Sequence, residues 1–92
     1  MKIGLSLPPT TQSPDQFCEW VRRVDAGPFS TFSVLDRLVY SNFEPLVTLA
    51  AAATLTTRVR LMTEILIAPI RQTAILAKES ATLDLLSRGR LT

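Results

Sequence analysis

Four short apolar segments recur along this chain at almost constant spacing, and that spacing limits the folds open to it. With Ile3, Phe32, Leu61 and Leu91 as markers, the intervals are 29, 29 and 30 residues. Helical signals fill the stretches between them. A strand–helix unit recurring at this length gives parallel strands joined by right-handed crossovers. Two α/β architectures are built this way, the closed (β/α)₈ barrel and the doubly wound open sheet. The turn after the first strand carries Pro8-Pro9 rather than glycines. Proline lacks the amide hydrogen that a phosphate cradle uses, which favours the barrel. A complete barrel takes roughly 250 residues, and this chain has 92. Residues 1–92 are therefore read as one partial domain, the first three parallel β/α units of a truncated TIM-type (β/α)₈ barrel.

The individual elements follow from local signals. Met1 to Leu7 reads as a strand, with Ile3, Leu5 and Leu7 on one face. Ser13-Pro14-Asp15-Gln16 opens a helix: Ser13 can cap it, Pro14 suits the first helical position, and Gln16 stands three residues after the cap. Phe17, Trp20, Val21 and Val24 follow at helical spacing, and Gly27-Pro28 ends the helix, with Gly27 suited to a left-handed cap. Phe29 to Leu35 is a second strand, and Asp36 to Phe43 a polar loop. Glu44-Pro45 opens a second helix running to about Thr57, with small residues at Ala50 to Ala53 for close packing on a sheet. Val59 to Ala68 reads as the third strand, and its Ile65-Leu66-Ile67 run suggests burial on both faces. A third helix runs from Thr73 to about Leu86, with Gly89 past its end and a fourth strand beginning at Leu91.

Composition excludes several classes of function. Hydrophobic residues make up 47% and charged residues 20%, so the chain is globular rather than disordered. No apolar run approaches the ~18 residues of a membrane span, and the charged, alternating start is no signal peptide. No membrane partner is expected, and the cytoplasm is the expected location. Cys18 is the single cysteine, read as a partly buried inert thiol, and histidine is absent. Ser-His-Asp and Cys-His chemistry and histidine metal sites are thus excluded within the chain, and no metal site is assigned. The net charge is +2, and the ten basic residues are scattered, which gives no case for nucleic acid.

From Asp36 onward a set of motifs resembles the bacterial luciferase-like flavin enzymes, the luciferase-like monooxygenases and deazaflavin-dependent oxidoreductases. The set comprises Asp36-Arg37-Leu38, Glu44-Pro45-Leu46-Val47-Thr48-Leu49 with the following alanines, and Thr57-Arg58-Val59-Arg60-Leu61-Met62-Thr63-Glu64-Ile65-Leu66-Ile67-Ala68-Pro69. Leu76-Ala77-Lys78, Ala81-Thr82-Leu83-Asp84 and Ser87-Arg88-Gly89-Arg90-Leu91 complete it, and Met1-Lys2-Ile3-Gly4 resembles that family's first strand. The resemblance implies a (β/α)₈ barrel with FMN or a deazaflavin (coenzyme F-420) at the C-terminal ends of the strands. It implies monooxygenation or hydride transfer on a small-molecule substrate. It also implies a cis peptide, or at least a bulge, in the third strand behind the flavin ring, at the bond matching Glu64–Ile65; the flavin and the rest of the barrel help hold that conformation, and this chain alone could relax to trans. Deazaflavin members often carry Asp-His where this chain has Asp36-Arg37, which leaves no histidine for proton transfer at that point.

The candidate cofactor-binding residues are Asp36, Thr63, Glu64 and Ile65, and Arg37 is the candidate for the substrate pocket; no residue is assigned as catalytic. Asp36 stands where a barrel strand meets the active face and could hydrogen-bond a flavin edge or a substrate; otherwise it pairs with Arg37 or caps a turn. Arg37 could fork onto an anionic group or sit in a surface ion pair. Thr63 to Ile65 could back the flavin. Glu64 is the one carboxylate in an apolar strand, so it must face a polar cavity, a partner or solvent.

Two functional readings result. In the first, the chain is the amino-terminal part, or a truncated relative, of a luciferase-like oxidoreductase whose chemistry belongs to the cofactor; alone it is expected to be incomplete and inactive because most strand ends that would hold the flavin are missing. In the second, it is a non-catalytic truncated β/α module that self-associates. Three units would leave the barrel-facing sides of Ile3, Phe32 or Val34, and Leu61 or Ile65 uncovered. Exposed apolar surface costs about 25 cal/mol per Å². A homo-oligomer, or pairing with the remainder of the barrel, is expected.

Overall fold

The computed structural model describes residues 1–92. Three strands alternate with three helices: β1 (Gly4–Ser6), α1 (Pro14–Ala26), β2 (Thr31–Leu35), α2 (Pro45–Leu55), β3 (Arg60–Glu64) and α3 (Thr73–Leu86). A short 3₁₀ turn, Ala68–Ile70, lies between β3 and α3. All strands are parallel, in sheet order β1-β2-β3. Leu91 adds a parallel bridge to Leu61 on the free side of β3, so a fourth strand position begins where the spacing places it.

Register explains the core. Leu5 pairs with Phe32 and Phe32 with Leu61, forming an apolar row that Leu91 extends. Leu7, Val34 and Thr63 share this face by alternation. The helices cover it: Phe17 packs edge-on against Phe32 at 6.5 Å, and Val21, Val24, Leu49, Ala52 and Leu83 join the same buried cluster. The opposite face carries Gly4, Ser6, Thr31, Ser33, Leu35, Arg60, Met62 and Glu64 and has no helix over it. The expectation that Phe32, Val34 and Leu61 face the barrel interior is thus corrected. These residues are buried under helices, and the uncovered face is mainly small and polar. Only Ile3 and Ile65 of the expected apolar set stay exposed.

The helix starts follow the capping signals. The Ser13 hydroxyl accepts the Gln16 N–H at 3.4 Å, with Pro14 as the first helical residue. Glu44 caps α2 by accepting the Val47 N–H at 2.7 Å. Gly27 differs from its expected role, since its φ of −86° is not left-handed. It is needed for space: a Cβ there would lie 3.1 Å from the Phe29 ring and from the Arg23 carbonyl oxygen. The left-handed reversal lies instead after α3, at Arg88 (φ 59°) and Gly89 (φ 78°).

At the lower end of the sheet, where the strands begin, charged side chains satisfy backbone groups. Asp25 accepts the N–H groups of Thr57, Arg58 and Val59, each at 3.0 Å. Burial pushes the Asp25 carboxyl up, but these three bonds and the Arg58 charge outweigh it and hold it below the ordinary value. Arg58 donates to the carbonyls of Asp25 and Gly27 at 2.8 Å. Arg90, folded back by the reversal, donates to the carbonyls of Ala53, Thr56, Val59 and Ser87 at 2.7–3.0 Å. It thereby closes the C-terminal end of α2, where orphan carbonyls and the helix dipole favour a cation.

Candidate functional site

At the upper end, where the strands stop, β3 ends sooner than its apolar sequence implies. The ladder stops at Glu64, paired with Leu35. Ile65 then turns with φ 69°, and the residue is 79% exposed. A left-handed β-branched residue is strained, and surrounding structure must enforce it. The Glu64–Ile65 peptide is trans, as is every other peptide bond in the chain. In this chain the departure from the strand expected at that bond is made with a trans peptide, by rotation at the Ile65 φ. The Ile65-Leu66-Ile67 run is likewise not a strand buried on both faces, because β2 ends at Leu35 and offers no ladder beyond Glu64.

Asp36 explains where the segment goes next. Alternation turns its side chain to the helix-covered side, where it is only 2% exposed. Its Oδ2 accepts the Ile67 N–H at 2.9 Å and an Arg71 Nη2 hydrogen at 2.8 Å. The Arg71 Nη1 group donates to Glu44 Oε1 at 2.9 Å, while Glu44 Oε2 caps α2. One continuous network, Ile67 amide to Asp36 to Arg71 to Glu44 to Val47 amide, ties the end of β2 to the start of α2 and the segment leading to α3. Burial pushes the Asp36 carboxyl up, but the Arg71 hydrogen bond, the Ile67 amide and the Arg71 charge hold it below its ordinary value. Bonding to Asp36 raises Arg71 in turn, against burial and with help from Glu44.

The predicted site residues thus separate. Glu64 lies on the uncovered face, partly buried and without an ion pair, and Ile65 adjoins it. Thr63 sits in the Val34 row, on the helix-covered face, so only its backbone reaches the upper end. Asp36 is engaged by Arg71 rather than by Arg37. Arg37 makes no ion pair either, and its guanidinium lies 5.0 Å from the Tyr40 ring centroid. The loop read as polar exposes Leu38, Val39 and Tyr40, so the upper rim is apolar.

Arg71 is the residue that sequence reasoning missed. Its partner Asp36 is 35 positions away, and Pro69-Ile70-Arg71-Gln72 gives no local sign of an ion pair. Glu44-Pro45 was readable as a helix start, though not Glu44 as an ion-pair partner. The largest concavity, about 560 Å³, runs between α2 and α3 along Leu46, Val47, Ala50, Thr82 and Leu86. Its lining includes neither Glu64 nor Ile65. An uncovered three-stranded face is open rather than concave, so the candidate site does not coincide with that groove.

The geometry can be set beside known proteins. The family model described as luciferase-like monooxygenase matches residues 1–92. Comparison with curated proteins gives no match. Among solved structures, the chain is similar to the coenzyme F420-dependent tetrahydromethanopterin reductase of Methanopyrus kandleri, at 27% identity and a TM-score of 0.83, covering 98% of this chain and 25% of that one. It is similar to the monooxygenase RslO1 of Streptomyces bottropensis, at 31% identity and a TM-score of 0.78, covering 99% and 31%. The FMN-bound oxygenating constituent of the 3,6-diketocamphane monooxygenase of Pseudomonas putida, a type II Baeyer-Villiger enzyme, matches at 20% identity and a TM-score of 0.84, covering 99% and 28%. That last likeness speaks for the fold alone. The chain spans a quarter to a third of the length of these TIM-barrel structures.

Proposed function

Because the chain belongs to the luciferase-like monooxygenase family, a family of oxidoreductases, we propose that residues 1–92 form the part of a luciferase-like barrel domain that contributes one wall of an FMN or deazaflavin site. The reaction served is monooxygenation or hydride transfer on a small organic substrate. The observation that carries this reading is the upper end of β3. There a strained Ile65, an unpaired Glu64 and an apolar rim of Leu38, Val39 and Tyr40 meet at the C-terminal ends of parallel strands. In barrels of this kind that end bears the active site.

The residues present fit a planar, largely apolar ring. Ile65 offers exposed apolar surface. When bound, the cofactor supplies the redox chemistry; the chain's residues bind and orient. Glu64 and the Ile65 backbone are the contacts proposed for the cofactor, with Thr63 contributing through its main chain. Asp36 acts behind them by holding the Ile67 amide. Arg37, stacked near Tyr40, is proposed for anionic groups of the substrate.

Further parts of the barrel complete the pocket in this reading, supplied by a longer chain or by a partner, and the setting proposed is the cytoplasm. Alone, the chain is expected to bind flavin weakly. Titration of purified chain with FMN and with coenzyme F-420, followed by flavin fluorescence and by sedimentation, tests this. Weak binding that strengthens when the remaining β/α units are supplied supports the reading. Sub-micromolar binding by a monomer would show that three units already make the site, and no binding even with those units would end the proposal. A second reading, self-association without catalysis, is favoured by the uncovered sheet face and the unpaired outer edge of β1; flavin-free oligomers in sedimentation would support it.

A further inference from the structure

The segment after β3 holds a conformation that its own sequence disfavours, so something outside it must hold it. Ile65 is β-branched and left-handed, a state that persists only when surrounding contacts over-determine it. Within the segment, backbone bonds are short-range: Ala68 N–H to the Leu66 carbonyl at 2.8 Å and Arg71 N–H to the Ala68 carbonyl at 3.0 Å. From outside the segment, Leu66 packs against the core, and the polar anchor at the turn itself is Asp36, which takes the Ile67 amide and the Arg71 guanidinium on the same oxygen. A carboxylate on a single χ1–χ2 stem can swing unless a second group fixes it. Arg71 is that group, and its other arm is fixed by Glu44 at the start of α2. A planar fork can bridge two carboxylates in this way, and an ammonium cannot do so with the same geometry.

We propose that Arg71 is a positioning residue that fixes the Ile65–Ile67 turn at the upper end of β3 by clamping the Asp36 carboxylate onto the Ile67 amide. Its consequence for a flavin rests on the reading above; the clamp itself does not. Arg71 contacts no reacting atom in this account and acts through Asp36.

Amide exchange by NMR on the 92-residue chain tests the clamp, comparing the native protein with Arg71→Ala and the milder Arg71→Lys. In Arg71→Ala, exchange at Ile67 and Ala68 is expected to rise about tenfold or more beyond whatever rise Phe32 and Leu61 show through the loss of global stability, the pattern of local opening added to global opening. Arg71→Lys should fall between. Guanidinium chloride at about 20 mM should restore at least half of the lost protection in Arg71→Ala, since the ion can refill the site between two carboxylates. Sodium chloride at the same concentration should not restore it, which separates refilling of the site from a general salt effect. Unchanged exchange at Ile67, an equal rise at Phe32 and Leu61, or no restoration would each overturn the proposal. FMN affinity measured on the same samples separates the two claims. If the native chain shows the clamp but never binds FMN, alone or with the remaining units supplied, the flavin reading fails and the clamp stands. If FMN binds but Arg71→Ala leaves both its affinity and Ile67 exchange unchanged, the clamp fails and the flavin reading stands.

Discussion

The two ends of the sheet are both held by charged side chains, yet in different ways. At the lower end the charges meet backbone: Asp25 collects three amides, and Arg58 and Arg90 close on carbonyls of α1, α2 and the strand entry. At the upper end the charges meet one another, in Asp36, Arg71 and Glu44, with one amide taken from the segment after β3. Backbone partners cannot be re-chosen without unfolding an element, so the lower arrangement is a fixture of the fold. Side-chain partners can rearrange locally. The upper end also leaves Ile65 strained and Leu38, Val39 and Tyr40 in solvent. The difference teaches where to look for function: the backbone-bound charges lie where strands begin, and the proposed site where they end.

Substitution should expose this contrast. Arg90→Ala removes a cation from four carbonyls and is expected to cost about 3 kcal/mol, since bonds to charged groups are worth about 1.5–3 kcal/mol each but do not add; chemical denaturation measures it. Asp36→Ala should cost less, about 2 kcal/mol, because Arg71 keeps Glu44 and is not left as a bare buried charge. In a double-mutant cycle, Asp36→Ala with Arg71→Met should cost clearly less than the two single changes added together. Additive losses would mean that the upper charges act separately, and the comparison would lose one of its two sides.

Acid should strain both ends. Asp25 and Asp36 have folded-state values below the ordinary 3.8. Each therefore contributes stability in full above that value, and the contribution is lost as pH falls from about 4 through the folded value. Asp25→Asn and Asp36→Asn should each flatten the fall of stability below about pH 4, as read from denaturation midpoints across pH. The smallest effect is expected at the exposed Glu19–Arg23 pair on α1. Arg23→Ala should change stability by less than about 0.5 kcal/mol, the usual worth of a solvated i,i+4 pair.

What the sequence disclosed was local or periodic. Strand spacing placed Phe32 and Leu61 in register, and Ser13-Pro14 and Glu44-Pro45 marked two helix starts because a cap bonds three residues ahead. Which strand face meets the helices was not legible. Alternation fits either choice, and only packing shows that Phe32 turns toward Phe17. The end of β3 was hidden for a related reason: Ile65 to Ile67 has strand composition, and the competing Asp36 bond to the Ile67 amide comes from 31 positions away. Arg71 was unreadable on the same ground. Glu64 and Ile65 were found through the family resemblance, and the structure places them at one end of one strand; their part in binding is the proposal tested next.

The most direct test is to map where a flavin touches this chain. Amide chemical shifts of the isotope-labelled protein, followed during titration with FMN and coenzyme F-420, report even weak contact residue by residue. The account predicts shifts confined to the upper end, at Glu64 to Ile67 and Asp36 to Tyr40, with Thr57 to Val59 and Arg88 to Leu91 unmoved. Shifts centred on those lower-end amides, or on the groove between α2 and α3, would contradict it.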